Sequence, residues 1–221
     1  MKLQTKNLKK SYGNGAQSLS ILKEVDFDLA SGQVAAIIGQ SGSGKTTLLS
    51  LLAGLDNPDT GSIFYDDVDV TKLSEKDLTE FRAQNLSIVF QQFHLMPYLS
   101  ALENVALPLQ ILKRENALKL AEDALQKVGL SHRLSHLPSE LSGGECQRVA
   151  IARAFVTSPK ILLADEPSGN LDTKTGEEVM ELLFNLVKEK KTTLVLVTHN
   201  QDLAAKCEVK FKLVEGILNR C

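Results

Sequence analysis

Residues 34–47 read VAAIIGQSGSGKTT: five apolar residues, a loop with three glycines, then Lys45, which opens onto the helical run TTLLSLLAG. The order strand, glycine-rich loop, helix is the context in which G-x-x-x-x-G-K-[ST] carries chemistry. Gly39, Gly42 and Gly44 let the backbone wrap with its N–H groups inward. The stretch Gly39, Gln40, Ser41, Gly42, Ser43, Gly44, Lys45, Thr46, Thr47 thereby becomes a cradle for phosphate oxygens at a helix N-terminus. Lys45 supplies a mobile positive charge to the β and γ phosphates of a nucleotide, and the Thr46 hydroxyl is placed to ligate Mg²⁺. A dinucleotide fingerprint would need glycine at 47, where Thr47 stands, so that reading fails.

Working outward, ILLA at 161–164 and TLVLV at 193–197 are continuous apolar runs like VAAII, each followed at once by a polar loop. Strands of a parallel sheet covered on both faces read this way. Between them lie helical patterns. Ala117, Leu120, Ala121, Ala124, Leu125 and Val128 recur at helical spacing with Gly129 as a stop. Val179, Leu182, Leu183, Leu186 and Val187 share one face of a helix over about 175–190. The segments 3–12, LQTKNLKKSY, and 24–29, EVDFDL, alternate charged and apolar residues, as antiparallel strands with one wet face do. Residues 92–158 have helical periods and no strong strand. The expected architecture is therefore one α/β domain: a core from 1–91 and 159–221 with an antiparallel β part, and an inserted helical subdomain over 92–158. Ligands are expected at the carboxyl ends of the parallel strands.

The 221 residues, 43% of them apolar, suffice for one sizeable core. Lys plus Arg number 25 against 27 Asp plus Glu, a net charge of −2, so there is no global basic field to draw the chain onto nucleic acid. No stretch approaches 18 uninterrupted apolar residues, and MKLQTKNLKKSY lacks the apolar centre of a secretory signal; the expected location is the cytoplasm. Cys146, Cys207 and Cys221 are odd in number and unpaired in spacing, and read as reduced thiols.

ILLADEP, 161–167, ends an apolar strand on two acids. Asp165 at the tip is positioned like the acid that holds a nucleotide's Mg²⁺ through water. Glu166 is then placed to orient or deprotonate the water that attacks the γ phosphate. A third feature is LSGGE, 141–145, directly before the helical run RVAIARAF. Gly143 and Gly144 expose backbone N–H groups at a helix N-terminus and Ser142 adds a hydroxyl, which makes a second anion cradle.

With the two other motifs, LSGGE resembles the signature of ATP-binding cassette (ABC) ATPases, and the resemblance extends over nearly the whole chain. It implies an α/β P-loop cassette with a parallel-sheet core, an antiparallel β subdomain and an inserted helical subdomain. It also implies that Ser142, Gly143, Gly144 and Glu145 face the γ phosphate bound by a partner copy, so that a head-to-tail homodimer sandwiches two ATP molecules. Tyr12 resembles the aromatic that stacks on adenine, a plain strand aromatic being the alternative. Gln91, after IVF, resembles the glutamine that touches Mg²⁺ and the attacking water and links to the helical lobe. His199 resembles the histidine that holds the γ phosphate and Glu166, whereas His94, His132 and His136 fit no such slot and read as surface residues. SGNLD, 168–172, matches the loop through which two subunits sense each other, with Asp172 also a plausible helix cap. Three positions depart from the family pattern: Cys146 stands where Gln or Arg is frequent, Gly169 where Ala is common, and Asn200 where an acid usually follows the histidine.

The resemblance further implies MgATP hydrolysis that drives integral-membrane permease subunits, the chain lying peripherally on the cytoplasmic face of the inner membrane. FHLMPYLSALENVALPL, 93–109, suits either a groove for a short permease helix or the helical lobe's own core. LKKSYGNG, AGLDNPDTGSI, LPSELSGGE and ADEPSGNLD look most like the LolD, MacB and YbbA group, which releases lipoproteins or drives efflux. An FtsE-like cassette for transmembrane signalling in cell division is the alternative. A DNA-repair ATPase would need a long coiled-coil arm or zinc cysteines between Lys45 and Ser142, and a translation factor two cassettes. A degenerate binding module is opposed by Lys45, Asp165, Glu166 and His199.

Overall fold

The three continuous apolar runs become neighbouring parallel strands. The computed structural model describes residues 1–13 and 19–221; Asn14 and Gly15 of LKKSYGNG lie outside them. In chain order the elements are β1 (Leu3–Tyr12), β2 (Leu19–Leu29), β3 (Val34–Ile38), α1 (Lys45–Leu52), β4 (Thr60–Tyr65) and β5 (Val68–Asp69). Then come α2 (Glu75–Asn85), β6 (Leu86–Phe90), α3 (Ala101–Ile111), α4 (Ala117–Lys127) and α5 (Gly143–Phe155). The chain closes with β7 (Ile161–Asp165), α6 (Thr173–Lys190), β8 (Thr193–Thr198), α7 (Gln201–Ala205), β9 (Val209–Val214) and β10 (Ile217–Arg220).

Strands β9, β3, β8, β7 and β6 run parallel in that spatial order, with β10 antiparallel on the β9 edge. A separate antiparallel sheet has the order β2, β1, β4, β5. Alternate residues of the parallel strands enter opposite cores. Ala35, Ile37, Leu163, Val195 and Val197 pack with α1 and the antiparallel sheet, while Ala36, Ile38, Leu162, Ala164, Leu194 and Leu196 pack against α3 to α7. Both faces of a strand are thus apolar, and each fully buried Leu, Ile or Val contributes about 1.5–3 kcal/mol relative to exposure. Tyr65, fully buried, donates its hydroxyl to the carbonyl of Leu52, which satisfies an orphan acceptor at the end of α1 and ties the antiparallel sheet to that helix.

β2 alternates as expected, with Val25, Phe27 and Leu29 buried and Glu24, Asp26 and Asp28 exposed. On α6, Val179, Leu183, Leu186 and Val187 are buried and Leu182 half-buried; on α4, Ala121 and Leu125 are buried but Leu120 stays 44% exposed. Residues 93–109 divide between their two readings: Ala101, Val105, Ala106 and Leu109 are core, whereas Met96 and Tyr98 are exposed, Tyr98 to 91%. The intervening turn is pinned by buried Asn104, which accepts from the Met96 N–H at 2.7 Å and donates to the carbonyls of Met96, Leu99 and Ser100.

Candidate functional site

Strand register explains why residues far apart in sequence meet. Ile38 pairs with Thr198, Val197 with Asp165, and Asp165 with Phe90, so four parallel strands end level with one another. The next residue on each, Gly39, His199, Glu166 and Gln91, therefore emerges on one rim, at the carboxyl ends where open α/β sheets place their ligands. A hollow of about 790 Å³ opens there, lined by Tyr12, Ile21, Ser41, Gly42, Gly44, Lys45, Thr46, Thr47, Gln91, Asp165, Glu166 and His199. Ile21 is the one lining residue that the sequence motifs do not flag. Gly39, Gln40 and Ser43 shape the loop from behind.

The loop needs its glycines. Gly42 and Gly44 have φ of +77° and +98°, and a Cβ at Gly39 would sit 2.6 Å from the Leu213 carbonyl oxygen. Lys45 is buried, its ammonium donating to the carbonyls of Gly39 at 3.0 Å and Gln40 at 2.9 Å. A buried ammonium with carbonyl partners and one N–H to spare is a positive centre that an anion would complete. Ser43 Oγ is also buried in the loop, with no partner among the described residues.

Asp165 and Glu166 take different environments. Burial pushes the Asp165 carboxyl up, with a further push from the Glu166 charge, while a hydrogen bond from Thr46 and the charge of Lys45 pull the other way. Oxygen donors from a threonine, a half-buried carboxylate and a glutamine fit a hard cation such as Mg²⁺, which would relieve the Asp165–Glu166 repulsion. Glu166 adopts φ +44°, a left-handed conformation rare outside glycine and worth on the order of 1–3 kcal/mol of strain. It is held by its own N–H to Val197 O at 3.0 Å and by Gly169 N–H to its carbonyl at 2.9 Å. His199 Nδ1 stands 2.9 Å from Glu166 Oε2, with the ring N–H aimed at the carboxylate.

The second cradle is built elsewhere. No residue of 141–145 lines the hollow. Ser142 is the N-cap of α5: its Oγ accepts from Glu145 N–H at 3.2 Å, and Glu145 Oε2 accepts from Ser142 N–H at 2.8 Å. Glu145 also takes Arg133 Nε at 2.8 Å on Oε1. The Ser142 N–H bond first, and Arg133 after it, outweigh burial and hold Glu145 down at about 2. Its carboxylate is thus committed to the cap of α5. Gly143 is exposed, but Gly144 is buried against α6, where a Cβ would overlap the Thr175 methyl. Asp172 caps α6, accepting from Thr175 N–H at 3.1 Å, and lines a smaller hollow of about 260 Å³ beside Glu166 and His199.

Residues 22–169 match the family described as ABC transporter. The lipoprotein-releasing system ATP-binding protein LolD of Idiomarina loihiensis is 48% identical over 220 residues, 99% of this chain and 96% of that protein. The chain belongs to the ABC transporter family. Escherichia coli YbbA, an uncharacterized ABC transporter ATP-binding protein, is 46% identical over 98% of this chain and 96% of its own length. The ATP-binding cassette MJ0796, solved as a dimer in a post-hydrolysis state with ADP and Pi, superposes with a TM-score of 0.90 at 40% identity, covering 99% of this chain and 97% of that one. This cassette is accordingly an ATP-binding subunit with the α/β P-loop ABC fold.

Tyr12 of the cassette is held by a clamp that sequence reading missed. Its hydroxyl donates to Asp56 Oδ2 at 2.7 Å, and Lys10 Nζ, 5.0 Å from the ring centroid, donates to Asp56 Oδ1 at 2.8 Å and to Asn57 O at 2.7 Å. The Asp56 bond, then burial, raises the Tyr12 hydroxyl's pKa; Asp56, despite burial, is lowered by the hydrogen bonds of Lys10 and Tyr12. A ring fixed in advance loses less entropy when a base stacks on it. Asp56→Ala is expected to weaken ATP binding by about two- to ten-fold, with turnover at saturating ATP little changed. Titration with a fluorescent nucleotide measures this, and unchanged affinity would show that the ring needs no clamp.

Two smaller expectations also meet the structure of the cassette. Cys146 is buried, and burial first, then the Glu145 charge, raises its thiol, in keeping with a passive residue. His94 and His132 are exposed as expected, but His136 is half-buried: Nε2 faces Arg133 Nη1 at 3.0 Å and Nδ1 is buried without a partner. The correction has a plain cause, because Arg133 is pulled inward by Glu145 and draws the imidazole with it.

Proposed function

We propose that this cassette binds and hydrolyses MgATP as a head-to-tail dimer and drives an integral-membrane permease, with lipoprotein release or MacB-like export as the work performed. The observation that carries the dimer is the separation of two anion cradles on one chain: Lys45 and its loop in one hollow, Ser142 to Gly144 on α5 outside it. A copy turned by a two-fold axis would bring its α5 N-terminus over the other's hollow. Within the site, Glu166 is the base that takes the proton of the attacking water, and His199 orients Glu166 and the γ phosphate. Lys45 and the loop amides stabilise charge spreading over the transferring phosphoryl group. Thr46, Asp165 and Gln91 are the residues that would hold Mg²⁺, which supplies neutralisation of phosphate charge when bound.

The same proposal divides the chain into a nucleotide-binding core, 1–91 and 159–221, and a helical lobe, 92–158, whose exposed Met96 and Tyr98 face the permease. It places the cassette on the cytoplasmic face of the inner membrane, and it involves no nucleic acid. Near-full-length similarity to LolD supports the lipoprotein branch. The test is to reconstitute the cassette with the permease encoded beside it in vesicles loaded with an acylated lipoprotein. Stimulated ATP turnover and lipoprotein release are expected; turnover stimulated only by a non-lipid export substrate would overturn the lipoprotein branch.

A further inference from the structure

We infer that Asn170 is a positioning residue that decides which end of the Gln91 carboxamide faces the nucleotide hollow, and that Gly169 leaves the room this orientation needs. The inference rests on the reading of Gln91 as a ligand in that hollow, and it concerns a residue that reading does not include. Asn170 Nδ2 donates to the backbone carbonyl of Gln91 at 3.1 Å, and Gln91 Nε2 donates to Asn170 Oδ1 at 2.9 Å. The polarity of this pair is set at one end. A backbone carbonyl only accepts, so Asn170 must turn its NH₂ toward it; its Oδ1 then faces Gln91 and accepts only from an N–H. The Gln91 amide nitrogen is thereby claimed, and Oε1, the atom able to ligate a cation, is left for the hollow that Gln91 lines with Thr46 and Asp165. Without Asn170 the carboxamide has no reason to prefer oxygen over nitrogen there, and a flipped amide would present an NH₂ to a cation.

Gly169 supports the same arrangement sterically. A Cβ there would lie 2.7 Å from Gln91 Nε2, 3.0 Å from its Cδ and 3.3 Å from its Cγ, its three nearest neighbours. Gly169 is not in the left-handed region, so its backbone accepts alanine; the nearest obstacle is the Gln91 side chain. The platform beneath Asn170 is ordered by Gly169 N–H to Glu166 O at 2.9 Å and Leu171 N–H to Ser168 O at 3.1 Å. The loop that joins the base Glu166 to α6 therefore also orients the glutamine at the end of β6, two strand tips at one rim.

The experiment uses the full chain with a saturating non-hydrolysable ATP analogue and follows thermal stabilisation as Mg²⁺ is added. Asn170→Ala and Gly169→Ala are each expected to raise the Mg²⁺ midpoint about two- to ten-fold, the effect of one or two exposed hydrogen bonds. Analogue affinity without Mg²⁺ should stay unchanged. In a Gln91→Ala background neither substitution should shift the midpoint further. A normal midpoint in Asn170→Ala alongside a raised one in Gln91→Ala would overturn the positioning role alone. A normal midpoint in Gln91→Ala would overturn the reading of Gln91 and this inference with it. A shift by Asn170→Ala that persists without Gln91 would show a general structural role and overturn it as well.

Discussion

Glu166→Gln is expected to lower ATP turnover by about a hundred- to ten-thousand-fold while ATP still binds, and to leave a dimer that closes and does not reopen. The substitution is nearly isosteric. The left-handed backbone at φ +44° is held by Val197 O and Gly169 N–H rather than by the side chain, so it is carried over. The glutamine oxygen still accepts from His199 Nδ1, 2.9 Å away in the native chain. What is lost is the capacity to take a proton from water, so the chemical step fails and binding does not. Lys45→Ala is the contrasting variant, because it removes the buried positive centre of the loop and with it the affinity for phosphate. Gel filtration with ATP separates the two: Glu166→Gln elutes as a dimer and Lys45→Ala as a monomer. Normal turnover by Glu166→Gln would remove Glu166 from the role of base.

The strained backbone at Glu166 marks a limit of reading the sequence. ILLADEP shows a buried strand ending on acids because burial on both faces writes itself as an unbroken apolar run. That both acids reach the hollow goes with a dihedral angle at Glu166 that tertiary hydrogen bonds hold, and composition carries no trace of it. The glycines divide in the same way. Gly42 and Gly44 follow from the phosphate-loop spacing. Gly144 is explained in addition by Thr175 of α6 lying against it, a contact between residues that no local pattern links. Strand β9, VKFKLV, buries Val209, Phe211 and Leu213 and leaves Lys212 and Val214 exposed; read alone it matches a half-wet antiparallel strand. It nevertheless runs parallel beside β3, because position in a sheet is set by the connection through α7.

Charge networks were the least legible part. Lys10 and Tyr12 lie 46 and 44 residues before Asp56, and only the antiparallel sheet folding over α1 brings them together. Arg133 and Glu145 illustrate the same point at shorter range. LSGGE signals a capped helix start, but not that a guanidinium twelve positions earlier fastens the cap. In each case the motif names one residue and is silent on the residue that steadies it.

Mixing two inactive variants, Lys45→Ala and Ser142→Asp, is expected to restore hydrolysis that neither has alone. In a head-to-tail dimer each site takes Lys45 from one copy and Ser142 from the other. A mixed dimer with the defects on different copies therefore concentrates both in one site and leaves the second intact. Neither variant builds an intact site with its own copies, whereas each mixed dimer keeps one, so mixing should return activity up to about half of the wild-type rate if the sites fire independently. Aspartate is chosen at 142 because it remains a good N-cap for α5, accepting from Glu145 N–H as Ser142 Oγ does, while setting a carboxylate against the partner's γ phosphate. Placing both substitutions on one copy and pairing it with the native chain damages both sites and should give no activity from mixed dimers. If each chain instead completed its own site, the result would invert: the doubly substituted copy would leave its native partner working, and mixing the two single variants would rescue nothing.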